Sequence, residues 1–367
     1  DEKDKDAKAD EKDKDAKADE KDKDAKADEK DKDAKADEKD KDAKADEKNK
    51  DAKSDESAKS DKSSETKTSI PFRFALKNEG ARLMLANEDY YKEFTQNKLD
   101  YIMQKKNATM DEYKKFAGEQ VLDWTPEEKD MISRAMKEIE DTVKGRGWKL
   151  PPIDTIVFIK TTMDEEGGVG AYTHGTQIYL KELDKLISKE ELSDELVPEH
   201  FLEIIAHEIF HCLTRCNPDF RKEMYNVIGF TVEDKDYKIP SSVWEYYISN
   251  PDVEHHNSHA IFDIDGKKID CFVAAVTKKH FEKKGDSFPS EMVPALVPVD
   301  GSDKYYFKED ASNFDDLFGK NTDYVIDPEE CMADNFRFAV VYGKKGPEGK
   351  GYETPEIIDR IYEILAE

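Results

Sequence analysis

The first 69 residues contain no aromatic residue and no valine, leucine, isoleucine or methionine, and Ile70 is the first such residue. Residues 1–54 are six copies of the nonapeptide Asp-Glu-Lys-Asp-Lys-Asp-Ala-Lys-Ala, with the sixth copy altered. A chain without apolar side chains cannot offset the entropy that is lost on ordering. We therefore predict a disordered tail over residues 1–69. It serves either as a spacer that tethers the folded part to a surface or membrane, or as a repeat expansion with no specific role.

Long apolar runs and cysteines are also scarce. No stretch approaches the ~20 apolar residues of a membrane-spanning helix, so we predict no transmembrane segment. The formal net charge of −27 repels a phosphate backbone and argues against a nucleic-acid partner. The four cysteines favour buried free thiols, with a bridge to Cys331 as the alternative. The acidity, the tail and the first residue, Asp1, favour an extracytoplasmic location, as a secreted or lipid-anchored bacterial protein.

The most informative motif is His207-Glu208-Ile209-Phe210-His211. On a helix, residues i and i+4 share a face, so both imidazoles can reach one metal ion. Glu208 lies between them, where it can hold and deprotonate a water molecule. The surrounding stretch 195–216 is apolar almost all round, which predicts a buried helix on which polar groups need partners. A core helix whose histidines only form hydrogen bonds is the alternative interpretation.

A catalytic zinc site needs a third protein ligand and an open position. A nearby third histidine of the metzincin type is excluded, because Thr214 and Asn217 stand where that pattern requires Gly and His. Glu330 and Asp334 fit a later Glu-x-x-x-Asp pattern. In this pattern the Glu binds the metal, and the Asp, one turn on, accepts a hydrogen bond from the far nitrogen of a ligand histidine. Glu329 is a weaker alternative ligand, because no acid follows it at the same spacing.

With these residues the chain resembles the gluzincin clan of zinc metallopeptidases, the thermolysin-like enzymes. It is also similar to a poorly characterised bacterial family of predicted zinc proteases. The Asn-Thr-x-Tyr-x-x-x-Pro-Glu-Glu segment of that family matches residues 321–330. The likeness covers roughly residues 150 to 340. The separation between the two motifs is more than one hundred residues, against a few tens in many gluzincins.

The resemblance implies a role for each motif residue. It implies that His207, His211 and Glu330 bind Zn²⁺. It also implies that Glu208 is the general base and that Asp334 supports a ligand histidine from outside the metal's own ligand set. All five positions carry the residue type that the pattern requires.

Two further residues are candidates for stabilising the transition state. Tyr324 precedes Glu330 by six residues, and related enzymes use a Tyr or His to polarise the substrate carbonyl; simple packing is the alternative role. His259 ends the histidine-rich segment 252–259, which is either a polar loop or the source of a ligand or oxyanion donor. The turn signal Asp265-Gly266 predicts that a hairpin follows this segment.

The patterns after residue 69 predict an α+β fold, namely a zincin-like, two-lobed metallopeptidase domain. We place a helical N-terminal region at 70–150, an upper lobe with the metal helix at 151–216, and a lower lobe with the third-ligand helix at 217–367. In the upper lobe, residues 167–180 are predicted to form a Gly-rich loop followed by an edge strand. Such a strand borders the cleft and pairs with an extended substrate.

The combined expectation is a zinc-dependent metallopeptidase that hydrolyses peptide or protein substrates with a metal-activated water and Glu208 as the base. The alternative is a catalytically weak or inert zincin that serves as a surface-binding module. The presence of Glu208 favours the enzyme, since binding alone needs no base. A hydrolase of non-peptide amides would use the same residues.

Overall fold

The computed structural model describes residues 69–367, and these residues belong to one compact unit. Nearly all of the predicted disordered tail, residues 1–68, thus lies outside the described residues. In the described part, no helix has the length and apolar character that crossing a membrane requires. The four cysteines are free, and three of them are buried, in agreement with the expectation of unbridged thiols.

The strands form two sheets, and the described part of the chain mixes them with helices, as an α+β fold requires. The helices occur both before and between the strands, so neither class is confined to one end of the chain. The strands are β1 Phe72–Phe74, β2 Val121–Leu122, β3 Ile156–Thr161, β4 Ala171–His174, β5 Gln177–Lys181, β6 Thr231–Val232, β7 Ser258–Ile264, β8 Lys267–Thr277, β9 Met292–Pro298 and β10 Tyr306–Phe307.

The helices range from single turns to the 20-residue α5. The long ones pack against the sheets and against each other, and several short ones connect them. They are α1 Lys77–Leu85, α2 Glu88–Tyr91, α3 Gln96–Met103, α4 Met110–Glu119, α5 Pro126–Gly145, α6 Leu183–Leu186, α7 Lys189–Ser193, α8 Glu199–Cys216, α9 Pro218–Val227, α10 Ser241–Trp244, α11 Phe288–Glu291, α12 Phe314–Phe318, α13 Pro328–Val341 and α14 Pro355–Ala366.

The first sheet has the order β1-β3-β5-β4, with β2 also paired to β3. Strands β1, β3 and β5 are parallel, whereas β4 runs antiparallel to β5 at the edge. The N-terminal region is mostly helical, as predicted, and it also contributes the short strands β1 and β2 to this sheet. The single edge strand predicted within residues 167–180 is wrong. A hairpin forms instead, because Gly175 takes a positive φ of 56° and reverses the chain.

The second sheet is an antiparallel meander of β10-β9-β8-β7-β6. The predicted hairpin is confirmed: β7 and β8 are joined by Asp265 and Gly266, whose φ angles of 50° and 71° suit a tight turn. Strand β8 is buried along its second half, from Cys271 to Thr277, and carries a core of its own with β9.

Helix α8 lies at the centre of the largest hydrophobic core and packs against α5, α13 and β4. It is apolar on nearly all sides, as predicted, with Phe201, Ile205 and Phe210 fully buried. The helix begins only at Glu199, because Pro198 and the residue before it favour extended backbone. Ala333 of α13 is also fully buried, and its small side chain lets the two helices approach closely.

Candidate metal centre

Helix α8 carries the three polar residues of the first motif on one buried face. His207 is 8% exposed, Glu208 4% and His211 not at all. A buried polar side chain is costly unless it is partnered, so each of these groups requires a hydrogen bond or a ligand. The edge-to-face approach of the two imidazoles, 4.7 Å between centroids, follows from their i, i+4 spacing.

Helix α13 presents the acids of the second motif from its first turn. Its start is specified locally: the Asp327 side chain accepts a hydrogen bond from the backbone of Glu329 at 2.8 Å, and Pro328 occupies the first helical position. Glu329 and Glu330 therefore lie at the positive end of the helix dipole, which stabilises carboxylates. Asp334 follows one turn later on the face toward α8.

The two helices bring three ligand atoms together at one point. Oε2 of Glu330 lies 3.0 Å from Nε2 of His207 and 3.5 Å from Nε2 of His211. These three residues could hold a metal ion, because each offers one ligand atom to the same small volume. In the described part of the chain, Nε2 of His211 has no hydrogen-bond partner although it is buried. An orphaned imidazole nitrogen in this position is what a metal site requires.

The outer nitrogen of each histidine faces a carboxylate. Nδ1 of His207 donates to Oδ1 of Asp334 at 3.0 Å, as predicted. Nδ1 of His211 donates to Oε1 of Glu329 at 2.9 Å. With a metal bound, these hydrogen bonds would keep the protons on Nδ1, so that both Nε2 atoms could act as ligands. Glu329, the weaker alternative for the third ligand, thus supports a histidine instead.

Each outer carboxylate is itself held in place. The hydroxyl groups of Thr214 and Tyr225 donate to Glu329 at 2.7 and 2.5 Å. The Thr322 hydroxyl donates to Oδ2 of Asp334 at 2.5 Å. Satisfied carboxylates of this kind cannot rotate freely, so they orient the imidazoles that they contact.

Glu208 adjoins the cluster, and with His211 and Asp252 it forms a second group of side chains that could hold a metal ion. Its Oε2 is buried and has no hydrogen-bond partner among the described residues. Burial, together with the nearby negative charge of Asp252, raises the pKa of Glu208 to about 8. A carboxylate with one free oxygen and a raised pKa is suited to accept a proton near neutral pH.

The acids also change the protonation of the histidines. Burial opposes a charge on His207, but its hydrogen bonds to Asp334 and Glu330 outweigh burial and raise the pKa to about 9. The pKa of His211 is also raised: burial opposes its charge, but the charge of Asp252 and the adjacent carboxylates favour it. The raised pKa values favour the protonated imidazoles, so a cation that binds at their Nε2 atoms competes with protons.

The cluster opens to solvent through a cleft of about 320 Å³. Val169, Gly170 and Ala171 form one wall, which places the Gly-rich approach to β4 beside the cluster, as the sequence predicted. Tyr324 lines the cleft as well; it is 40% exposed, and its ring centroid lies 6.2 Å from that of His207.

No protein-family profile matches this chain, and the comparisons with curated proteins and with solved structures gave no match either. The chemistry of the site therefore rests on the geometry of its own residues.

Not every predicted residue reaches the cluster. His259 lies on β7, where Nδ1 is 2.6 Å from Asp270 and Nε2 is 3.4 Å from Glu233. Both ring nitrogens face carboxylates of the second sheet, and His259 is not among the residues that line the cleft. His259 is therefore not positioned to act as an oxyanion donor, because Asp270 and Glu233 hold its ring on the surface of β7.

The sequence reasoning missed three residues that line the cleft or contact the cluster. Asn250 donates its side-chain amide to Oε1 of Glu330, and Asp252 approaches Nε2 of His211 to 4.0 Å. Arg337 lies with its Nε 3.0 Å from Oδ1 of Asp334. Only Arg337 had a local signal, since it follows Asp334 by three residues on the same helical face.

Proposed function

We propose that this chain is a zinc-dependent metallopeptidase. One observation carries the proposal: Nε2 of His207, Nε2 of His211 and Oε2 of Glu330 converge beside the unpartnered oxygen of Glu208. A purely structural role for the metal ion is disfavoured. Structural zinc sites are closed to solvent, whereas this cluster opens into a cleft.

The donor set fits zinc. Two imidazole nitrogens and one carboxylate are a known catalytic combination for this ion. Bonds of roughly 2.0–2.1 Å in a tetrahedral arrangement separate ligand atoms by about 3.3 Å. The separations of 3.0 and 3.5 Å between Glu330 and the two histidines lie on either side of that value. The hydrogen bonds from both histidines to outer carboxylates complete the pattern expected around such a metal.

The residues of the chain supply the remaining chemistry. Zinc, when bound, supplies a Lewis acid that lowers the pKa of a water ligand to about 7 and polarises a carbonyl. Glu208 accepts the proton of the attacking water and passes it to the leaving amine. Tyr324, which lines the cleft, would donate a hydrogen bond to the oxygen that gains charge in the transition state.

Substrate recognition would use the edge of the first sheet. Strand β4 is the last strand of the order β1-β3-β5-β4, and Ala171 at its start lines the cleft. An extended peptide can add to such an edge through main-chain hydrogen bonds. This arrangement would place a peptide bond next to Glu208.

The test is a metal analysis combined with peptide hydrolysis. Purified protein is expected to hold one zinc per chain and to hydrolyse members of a mixed peptide library. The Glu208→Gln variant should keep the zinc and lose hydrolysis. A protein that binds zinc but hydrolyses nothing would support the alternative, an inert zincin used as a surface-binding module.

A further inference from the structure

Asp252 lines the cleft and contacts β4 at its outer edge. The backbone N–H and the hydroxyl of Thr173 donate to Oδ1 of Asp252 at 2.8 and 2.6 Å. Because Gly170 pairs with Lys181 of β5, the backbone groups of Ala171 and Thr173 face away from β5, toward the open edge. The N–H of Thr173, which an added strand would need as a hydrogen-bond donor, is therefore already bonded to Asp252.

An added peptide can thus pair with Ala171 but is stopped at Thr173. The end of the peptide that stops there meets the carboxylate of Asp252, which is 9% exposed and lines the cleft. In the described part of the chain, the hydrogen bonds to this carboxylate all go to Oδ1. Oε2 of Glu208, which is buried and has no hydrogen-bond partner among the described residues, is a second carboxyl oxygen on the same wall.

The sign of the charge decides which end of a peptide fits. A C-terminal carboxylate would be repelled by Asp252, whereas an N-terminal ammonium would form a charge-assisted hydrogen bond with it. The carboxylate of Asp252 approaches Nε2 of His211 to 4.0 Å, so a group bound to its other oxygen is within one residue of the proposed metal. The peptide bond that reaches Glu208 is then the first one of the substrate.

We propose that Asp252 binds the free α-ammonium group of the substrate, so that the chain removes single residues from peptide N-termini. This inference rests on the proposed peptidase function and specifies its substrate class. Asp252 is a specificity-determining residue in this account, with its Oδ1 held by Thr173 and its Oδ2 directed to the substrate.

The experiment compares one pentapeptide with a free and with an acetylated N-terminus. The zinc-loaded wild type is expected to release the first residue of the free peptide, and acetylation should lower kcat/KM at least 100-fold. Asp252→Asn should lower kcat/KM for the free peptide to a similar extent while keeping one zinc per chain. Glu254→Gln is the matched control, because Glu254 is a neighbouring acid that also contacts Arg215 but does not line the cleft. It should behave as the wild type.

Binding separates this inference from the peptidase function. Calorimetry on the zinc-loaded Glu208→Gln variant should show the free peptide binding at least tenfold more tightly than the acetylated one, and Asp252→Asn in that background should remove the difference. If the wild type cleaves neither peptide but this difference is present, the ammonium site stands and the peptidase function fails. Internal cleavage of the acetylated peptide at an equal rate, equal binding of both peptides, or loss of zinc from Asp252→Asn would each overturn the inference.

Discussion

Nδ1 of His211 lies 2.9 Å from Oε1 of Glu329, the residue directly before the proposed ligand Glu330. Two adjacent residues in the first turn of α13 therefore act on opposite sides of the same imidazole. Glu330 faces its Nε2 and Glu329 holds its Nδ1. This division of roles between neighbouring acids leads to a direct comparison of their variants.

Glu330→Ala should abolish stoichiometric zinc binding, because it removes one of three protein ligands. Glu329→Gln should keep the zinc but weaken its affinity about 10–100-fold, since an outer partner only orients a ligand. Competition with a chromogenic chelator measures both. Equal affinities for the two variants would show that the roles assigned to Glu329 and Glu330 are wrong.

Glu208→Gln should lower kcat by at least about 10²–10⁴-fold, because the amide cannot accept a proton from the attacking water. Zinc content and the unfolding temperature should change little, since the substitution keeps the shape of a residue that lies beside the ligand cluster. Hydrolysis assays on zinc-quantified protein provide the measurement. Wild-type activity in this variant would exclude Glu208 as the base.

Zinc binding should release protons at pH 7.5. His207 has a pKa of about 9 in the metal-free protein, above its usual 6.5, and must lose its proton to act as a ligand. The stabilisation from protonated His207 is fully present below pH 6.5 and is lost as the pH rises through 9. Apparent zinc affinity should therefore rise from pH 6.5 to 9 and then level off.

Calorimetry in two buffers of different ionisation enthalpy measures the number of protons released. Asp334→Asn should move the rise in affinity to lower pH, because it removes a charge that stabilises the imidazolium. A proton release of zero at pH 7.5 would contradict the prediction.

Lys98→Met should destabilise the protein by about 3–5 kcal/mol, because it removes the cation that neutralises the buried carboxylate of Glu166 and leaves only the Tyr90 hydroxyl as its partner. Nζ of Lys98 is fully buried, lies 2.8 Å from Glu166 and donates to the carbonyl of Ser249, directly before Asn250. Urea unfolding measures the change. Lys105→Met is the control, because its ion pair with Glu112 is exposed and should contribute little to stability. Equal losses of unfolding free energy for the two variants would contradict the expectation that the buried ion pair contributes more than the exposed one.

Much of the candidate site could be predicted because its information is local. The spacing of His207 and His211 places them on one face whatever surrounds the helix. The same holds for Glu330 and Asp334 on α13, and the hydrogen bond from His207 to Asp334 was predicted from that spacing. The turn at Asp265 and Gly266 was predictable for the same reason, since few residue pairs tolerate two positive φ angles.

Other features depend on contacts between distant segments. Asp252 belongs to a segment singled out for its histidines, yet the structure places the aspartate at the cluster and His259 against Asp270. No periodicity specifies which side of a loop faces a neighbouring helix, so the sequence could not separate these two residues.

The sequence by itself determined which helices carry the proposed metal ligands and which face each of them occupies, because helical geometry depends only on spacing along the chain. The tertiary structure alone decided that α13 meets α8 with Glu330 between the two imidazoles, that Glu329 supports His211, and that Asp252 ends the edge of β4. Those relationships arise from packing between segments more than forty residues apart. Such packing is determined by the whole hydrophobic core and not by any one motif.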